Sequence, residues 1–173
     1  FYEKAQELGI PLTLHTGVSY VCPQPNSHCH PQQLDDVALA FPDLKMIAYH
    51  AGWPYTEELI GLCGKHKNLY MSLSGIFGWY QRSPYRGYHA IGTALQWVPA
   101  DKIVLGFDLP FDDLPRVTDY IRDLSMPEEL QEKWGYAQVT DEDKAKILGL
   151  NLAKLTGIEP TKRAKFAAAK PTK

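Results

Sequence analysis

No apolar run in this chain approaches the roughly 18 residues that a membrane-spanning helix needs, so no transmembrane segment is expected. Cysteine is scarce. Cys22, Cys29 and Cys63 are odd in number and irregularly spaced, which argues against a disulfide framework and for a reducing, cytoplasmic setting. Neither sign of charge dominates: 18 Lys and Arg stand against 20 Asp and Glu, a net of -2 that offers no electrostatic footprint for nucleic acid. A signal-peptide pattern and a fixed-period repeat are also lacking. What is present is 173 residues, 45% hydrophobic and 22% charged, enough for about one globular domain. The charge is unevenly spread. Lys162, Arg163, Lys165, Lys170 and Lys173 follow residue 160 with no acid among them, so residues 161–173 read as a flexible basic tail on an acidic body, residues 1–160.

Short apolar runs alternate with segments of helical period. FYEKAQELG, from Phe1, reads as a helix already in progress and stopped by Gly9, which suggests a piece of something longer. Strands are predicted at Ile10–Leu14, Leu44–Ala48, Leu69–Ser74 and Lys102–Gly106. Between them, Pro31–Phe41 carries Leu34, Val37, Ala38 and Phe41 on one helical face. Thr56–Cys63 reads as a helix capped by Thr56, and Tyr88–Val98 as another. Helices at Leu114–Leu124, Pro127–Trp134 and Asp141–Leu155 complete the pattern. Continuous apolar strands separated by helices predict an α/β fold: a parallel sheet covered by helices.

Three polar residues fall at the carboxyl ends of three predicted strands: His15 in TLHTG, His50 in AYHAGWP and Asp108 in LGFDLP. Parallel α/β folds gather ligands and reactive groups on that face. Two imidazoles and a carboxylate suit zinc or another divalent metal, while any one of them alone would more simply cap a turn.

The segments IPLTLHTG, FPDLKMIAYHAGWPYTEEL, HKNLYMSLSG and DKIVLGFDLPF, with the closing KAKILGLNLAKLTGI, resemble the carboxyl-terminal half of the amidohydrolase-2 family over residues 1–158. These are metal-dependent enzymes related to amino-carboxymuconate-semialdehyde decarboxylase and γ-resorcylate decarboxylase. The resemblance implies a TIM-like (β/α)8 barrel in which the four strands are the fifth to eighth, followed by carboxyl-terminal helices. It implies that His15 binds the metal and that His50 acts on substrate and water. Asp108 would bind the metal or handle a proton, followed by Pro110. Phe107 stands where the family usually has Thr or Ser. The family's first-strand H-x-H pair is missing from every strand, and a barrel of this kind needs about 200–250 residues. The expectation is therefore a fragment lacking its amino-terminal half.

His28-Cys29-His30 does form an H-x-H, but in a proline-rich loop. With Cys22 it would make a small metal site; the plainer reading is a loop with two exposed histidines. His66 and His89 read as solvated or packing residues. Trp53, tied to HAG, is a candidate wall of the substrate pocket. Phe77, Trp79, Tyr80, Tyr85 and Tyr88 with Arg82 and Arg86 would either line a pocket for a planar anion or pack a loop on helices. Ser72 and Ser74 have no base beside them in sequence and are read as hydrogen-bonding groups rather than nucleophiles.

The expected function is a metal-dependent hydrolase or carboxy-lyase, cleaving a C–N or C–O bond or decarboxylating an aromatic or unsaturated acid. Zinc is the foremost metal, and the partners are a small-molecule substrate, the remainder of the barrel or a second copy. The rival is a non-catalytic half-barrel module that self-associates through its open sheet edges.

Overall fold

The computed structural model describes residues 1–20, 23–75, 83–109 and 113–159. The expected basic tail, from 161, lies outside them. Helix α1 (Tyr2–Glu7) leads into β1 (Leu12–Leu14), and α2 (Gln33–Ala40) into β2 (Met46–Ala48). Helix α3 (Thr56–Lys65) is followed by β3 (Leu69–Ser72), and α4 (Pro84–Trp97) by β4 (Ile103–Val104). Helices α5 (Leu114–Arg122), α6 (Glu128–Trp134), α7 (Asp141–Ala145) and α8 (Asn151–Thr156) complete the described chain. All strands pair in parallel in the order β1-β2-β3-β4.

Register separates the two faces of the sheet. Met46 pairs with Leu69, Ala48 with Met71 and Met71 with Ile103. These side chains are wholly buried in the main core with Leu59 of α3, Ile91 of α4 and Ile121 of α5. The intervening residues Ile47 and Val104 point the other way and form a small second cluster with Leu155, flanked by Tyr49 and Tyr70. Helix α8 reaches that cluster by crossing the amino ends of the strands. The buried Asn151 amide donates to the carbonyls of Ala100 (2.7 Å) and Ile103 (2.8 Å), and Lys45 Nζ donates to Leu155 O at 3.0 Å.

Several predicted bounds are corrected. The strands are shorter than their apolar runs, because only residues with a neighbouring partner join the ladder: Ile10, Leu44, Ser74 and Lys102 lie outside it. Thr56 is the first residue of α3 rather than its cap, a position held by Tyr55 without a side-chain bond. Helix α4 begins at Pro84, four residues early, since proline is well placed in a first turn. The single helix expected over Asp141–Leu155 is three pieces: α7, a wider π-type turn at Lys146–Leu150, and α8. Its start is set by Thr140 and Asp143, each side chain accepting from the other's backbone N–H.

Candidate active site

The carboxyl ends of β1 and β2 are held together by hydrogen bonds to backbone carbonyls before any reactive group is considered. Tyr49 N–H donates to Leu14 O (2.8 Å), and the buried Thr16 hydroxyl donates to Tyr49 O (2.6 Å). Val18 N–H donates to the carbonyl of Trp53 at 2.9 Å, and Trp53 N–H to that of His50 at 3.0 Å. Gly17 makes this approach possible: its φ is +96°, and a Cβ there would lie 2.1 Å from Trp53 O.

His50 opens a tight turn, His50–Gly52, directly beyond β2. Its φ of 60° and the 45° of Ala51 fall in the left-handed region that side chains disfavour. Ser74 holds this conformation. The Ser74 hydroxyl accepts from His50 N–H at 3.2 Å, and the Ser74 carbonyl lies 3.2 Å from His50 Nδ1. A carbonyl only accepts, so His50 carries its proton on Nδ1 and presents the Nε2 lone pair. Nε2 faces His15 Nδ1 at 3.1 Å, with the ring centroids 4.7 Å apart.

Asp108 approaches the same point from beyond β4. A methyl group on Gly75 (φ +69°) would lie 3.0 Å from His50 Nδ1 and 3.3 Å from Asp108 Oδ2, so both side chains press on one bare Cα. Partial burial and the adjacent His50 imidazole hold the His15 pKa below the ordinary histidine value, against a bond to the Val18 backbone and the charge of Asp108. Lowering it favours the neutral ring, which is the metal-ligating form. The three residues expected at a site are thus brought together. Ser74, expected only as a hydrogen-bonding group at the end of the third strand, positions His50, and Thr16 is a positioning residue that the sequence did not single out.

The other candidates are placed elsewhere. His28 is exposed, and His30 packs against Tyr55 with the rings tilted and their centroids 4.1 Å apart, its Nε2 3.5 Å from Glu58 Oε2. Cys29 is buried, accepting from Gln24 Nε2 at 3.2 Å, and Cys22 lies outside the described residues. Among the described residues, no group of three or more His, Cys, Asp or Glu is arranged to hold a metal by itself. His66 is buried against Asp35, and His89 bonds the Tyr136 hydroxyl, so both have packing roles. Tyr85 is exposed, and Tyr88 packs 6.4 Å from Tyr120. Phe77, Trp79, Tyr80, Arg82 and Pro110 fall outside the described residues. Trp53 and Arg86 share a cavity between α3 and α4 that neither His15, His50 nor Asp108 lines.

A family model described as Amidohydrolase matches residues 1–158. The chain belongs to the amidohydrolase family. No curated protein matches it. Among solved structures, this amidohydrolase chain is similar to an uncharacterised TIM-barrel protein of Bordetella bronchiseptica (TM-score 0.66, 23% identity, 91% of this chain and 49% of that one). A dihydroxybenzoic acid decarboxylase of Polaromonas with bound manganese gives a TM-score of 0.65 at 16% identity, covering 92% and 53%. An amidohydrolase of Burkholderia multivorans with bound zinc gives 0.54 at 12%, covering 75% and 50%. The chain therefore spans about half the length of each, and its four parallel βα units form roughly half of a TIM-like barrel. No helix among the described residues is long and apolar enough to cross a membrane.

Proposed function

We propose that this chain supplies part of the active site of a metal-dependent enzyme that hydrolyses a C–N or C–O bond or decarboxylates an aromatic or unsaturated acid. The observation that carries the reading is that His50 meets His15 at 3.1 Å through Nε2 and shares the space over Gly75 with Asp108. Family membership supports an enzyme over a non-catalytic module.

His15 and Asp108 would hold a divalent metal, zinc foremost, together with ligands from a barrel half that this chain does not contain. The donor types fit: the His15 imidazole, held toward its neutral form, lies close enough to feel the Asp108 charge, and two donors fall short of the three or four that a bound metal ordinarily takes from protein. Manganese in the Polaromonas decarboxylase and zinc in the Burkholderia amidohydrolase support a divalent ion. Such an ion, when bound, polarises a substrate oxygen or acidifies a water. His50 serves as general acid or base through Nε2, while Ser74 keeps its proton on Nδ1 and its ring aimed. Trp53 would border the substrate pocket through its backbone, which bonds to the loops of both histidines, while its side chain lines the separate cavity between α3 and α4. The remainder of the barrel closes the open edges of β1 and β4. The free, buried thiols of Cys29 and Cys63 support a cytoplasmic location.

The test is metal analysis of the intact protein beside turnover. His15→Ala loses most of the bound metal. His50→Ala keeps most of it but turns over about 10²–10⁴-fold more slowly. Equal metal content in the wild type and His15→Ala overturns the assignment.

A further inference from the structure

A cavity of about 430 Å³ lies between α3 and α4, walled by Trp53, Ile60, Trp134 and Tyr136 and edged by Glu57 and Arg86. Its aromatic wall is held in place. The Tyr136 hydroxyl is bonded by His89 and, at 2.9 Å, by Thr93, and Gln96 Nε2 donates to Trp134 O at 2.7 Å. The Trp134 and Tyr136 rings lie within 15° of parallel. A preorganised flat wall binds a flat apolar body with little ordering cost.

The polar edge narrows the ligand further. Glu57 stands in the first turn of α3 and Arg86 in the first turn of α4. Both line the same cavity, so one carboxylate and one guanidinium border a single space. Among the described residues, neither carboxylate nor guanidinium has an ion-pair partner. An aromatic acid alone would meet the Glu57 charge, and an aromatic amine alone would meet Arg86. A ligand bearing both charges on one carbon satisfies both.

We propose that this cavity binds an aromatic α-amino acid, with its carboxylate on Arg86, its ammonium on Glu57 and its ring against Trp53, Trp134 and Tyr136. The site is independent of the metal reading, because none of His15, His50 and Asp108 lines it.

Calorimetry on the intact protein tests this with three probes: L-phenylalanine, 3-phenylpropanoate and phenethylamine. L-phenylalanine binds about tenfold or more tightly than either single-charge analogue, because each analogue forgoes one charge-assisted hydrogen bond. Glu57→Gln abolishes the preference over 3-phenylpropanoate, and Arg86→Gln abolishes the preference over phenethylamine. Both residues are exposed, so the variants keep the fold, which an unchanged Tm checks. His15→Ala leaves L-phenylalanine binding intact even if the catalytic assignment fails. No heat with millimolar L-phenylalanine, equal affinity for the three probes, unchanged affinity in both charge variants, or loss of binding in His15→Ala each overturns the proposal.

Discussion

His50 Nε2 lies 3.1 Å from His15 Nδ1 although 35 positions separate the two residues. Neither side chain reaches the other through its own loop alone. The contact exists because β1 and β2 pair in parallel with Leu14 beside Ala48, so that the residues just past each strand end emerge together. Thr16, Tyr49 and Ser74 then set the spacing through hydrogen bonds that a change of strand register would break.

Gly75 is the position where this arrangement is most exposed to test. Gly75→Ala places a methyl 3.0 Å from His50 Nδ1 and 3.3 Å from Asp108 Oδ2 at a φ of +69°. The backbone strain costs about 1 kcal/mol or more, and both side chains must move by a few tenths of an ångström. Turnover is expected to fall at least tenfold with only a modest drop in Tm, because small misplacements of reacting groups are costly. Unchanged turnover would show that the Gly75 contact does not set the site.

Asn151 ties the final helix to the sheet. Asn151→Ala removes the amide donor from two buried carbonyls, at about 1–3 kcal/mol for Ile103 and less for Ala100, whose oxygen keeps the Ile103 N–H. Denaturant unfolding is expected to show a loss of about 2–4 kcal/mol in total; a loss under about 0.5 kcal/mol would mean that water replaces the amide.

Burial pushes the Cys63 thiol up to about 12, with the charge of Lys102 acting weakly the other way. The thiolate is the reactive form, so Cys63 should resist iodoacetamide in the native protein at pH 8 and react once the chain is unfolded. Mass mapping of the alkylated peptide decides it, and prompt native labelling of Cys63 contradicts the buried placement.

Acid should loosen the contact between α2 and the end of α3. Hydrogen bonds from Lys65 (2.6 Å and 2.8 Å) and from His66 hold the Asp35 carboxyl below its ordinary value of 3.8. A depressed folded-state pKa adds stability that is fully present above the ordinary value and is lost as pH falls through the lowered one. Asp35→Asn should therefore flatten the stability curve below about pH 4. A variant with the same acid limb as the wild type rules out the pair as its source.

Much of the plan was legible from residue order. The runs IPLTL, LKMIA, LYMSLS and KIVLG announce buried parallel strands because both faces of such strands are covered. His15, His50 and Asp108 could be placed at their carboxyl ends by position alone. The long segment Asp141–Leu155 misled, since its helical period continues through a π-type turn in which Gly149 leaves helical φ/ψ and the Ile147 carbonyl accepts from Leu105 N–H beyond β4. Ser74 was legible as a hydrogen-bonding group at a strand end, with nothing in LYMSLSG to say that it anchors an imidazole 24 positions away.

Local chemistry is what residue order determined here: which segments are apolar on two faces, which carry a helical stripe, and which polar groups follow a strand. The tertiary structure alone decided that the His50 proton sits on Nδ1, that Asp108 and His50 share the space over Gly75, and that the Trp53 ring turns into the groove between α3 and α4. Each of these depends on atoms brought close by sheet register and helix packing. Such proximity is a property of the folded chain as a whole, and no window of neighbouring residues contains it.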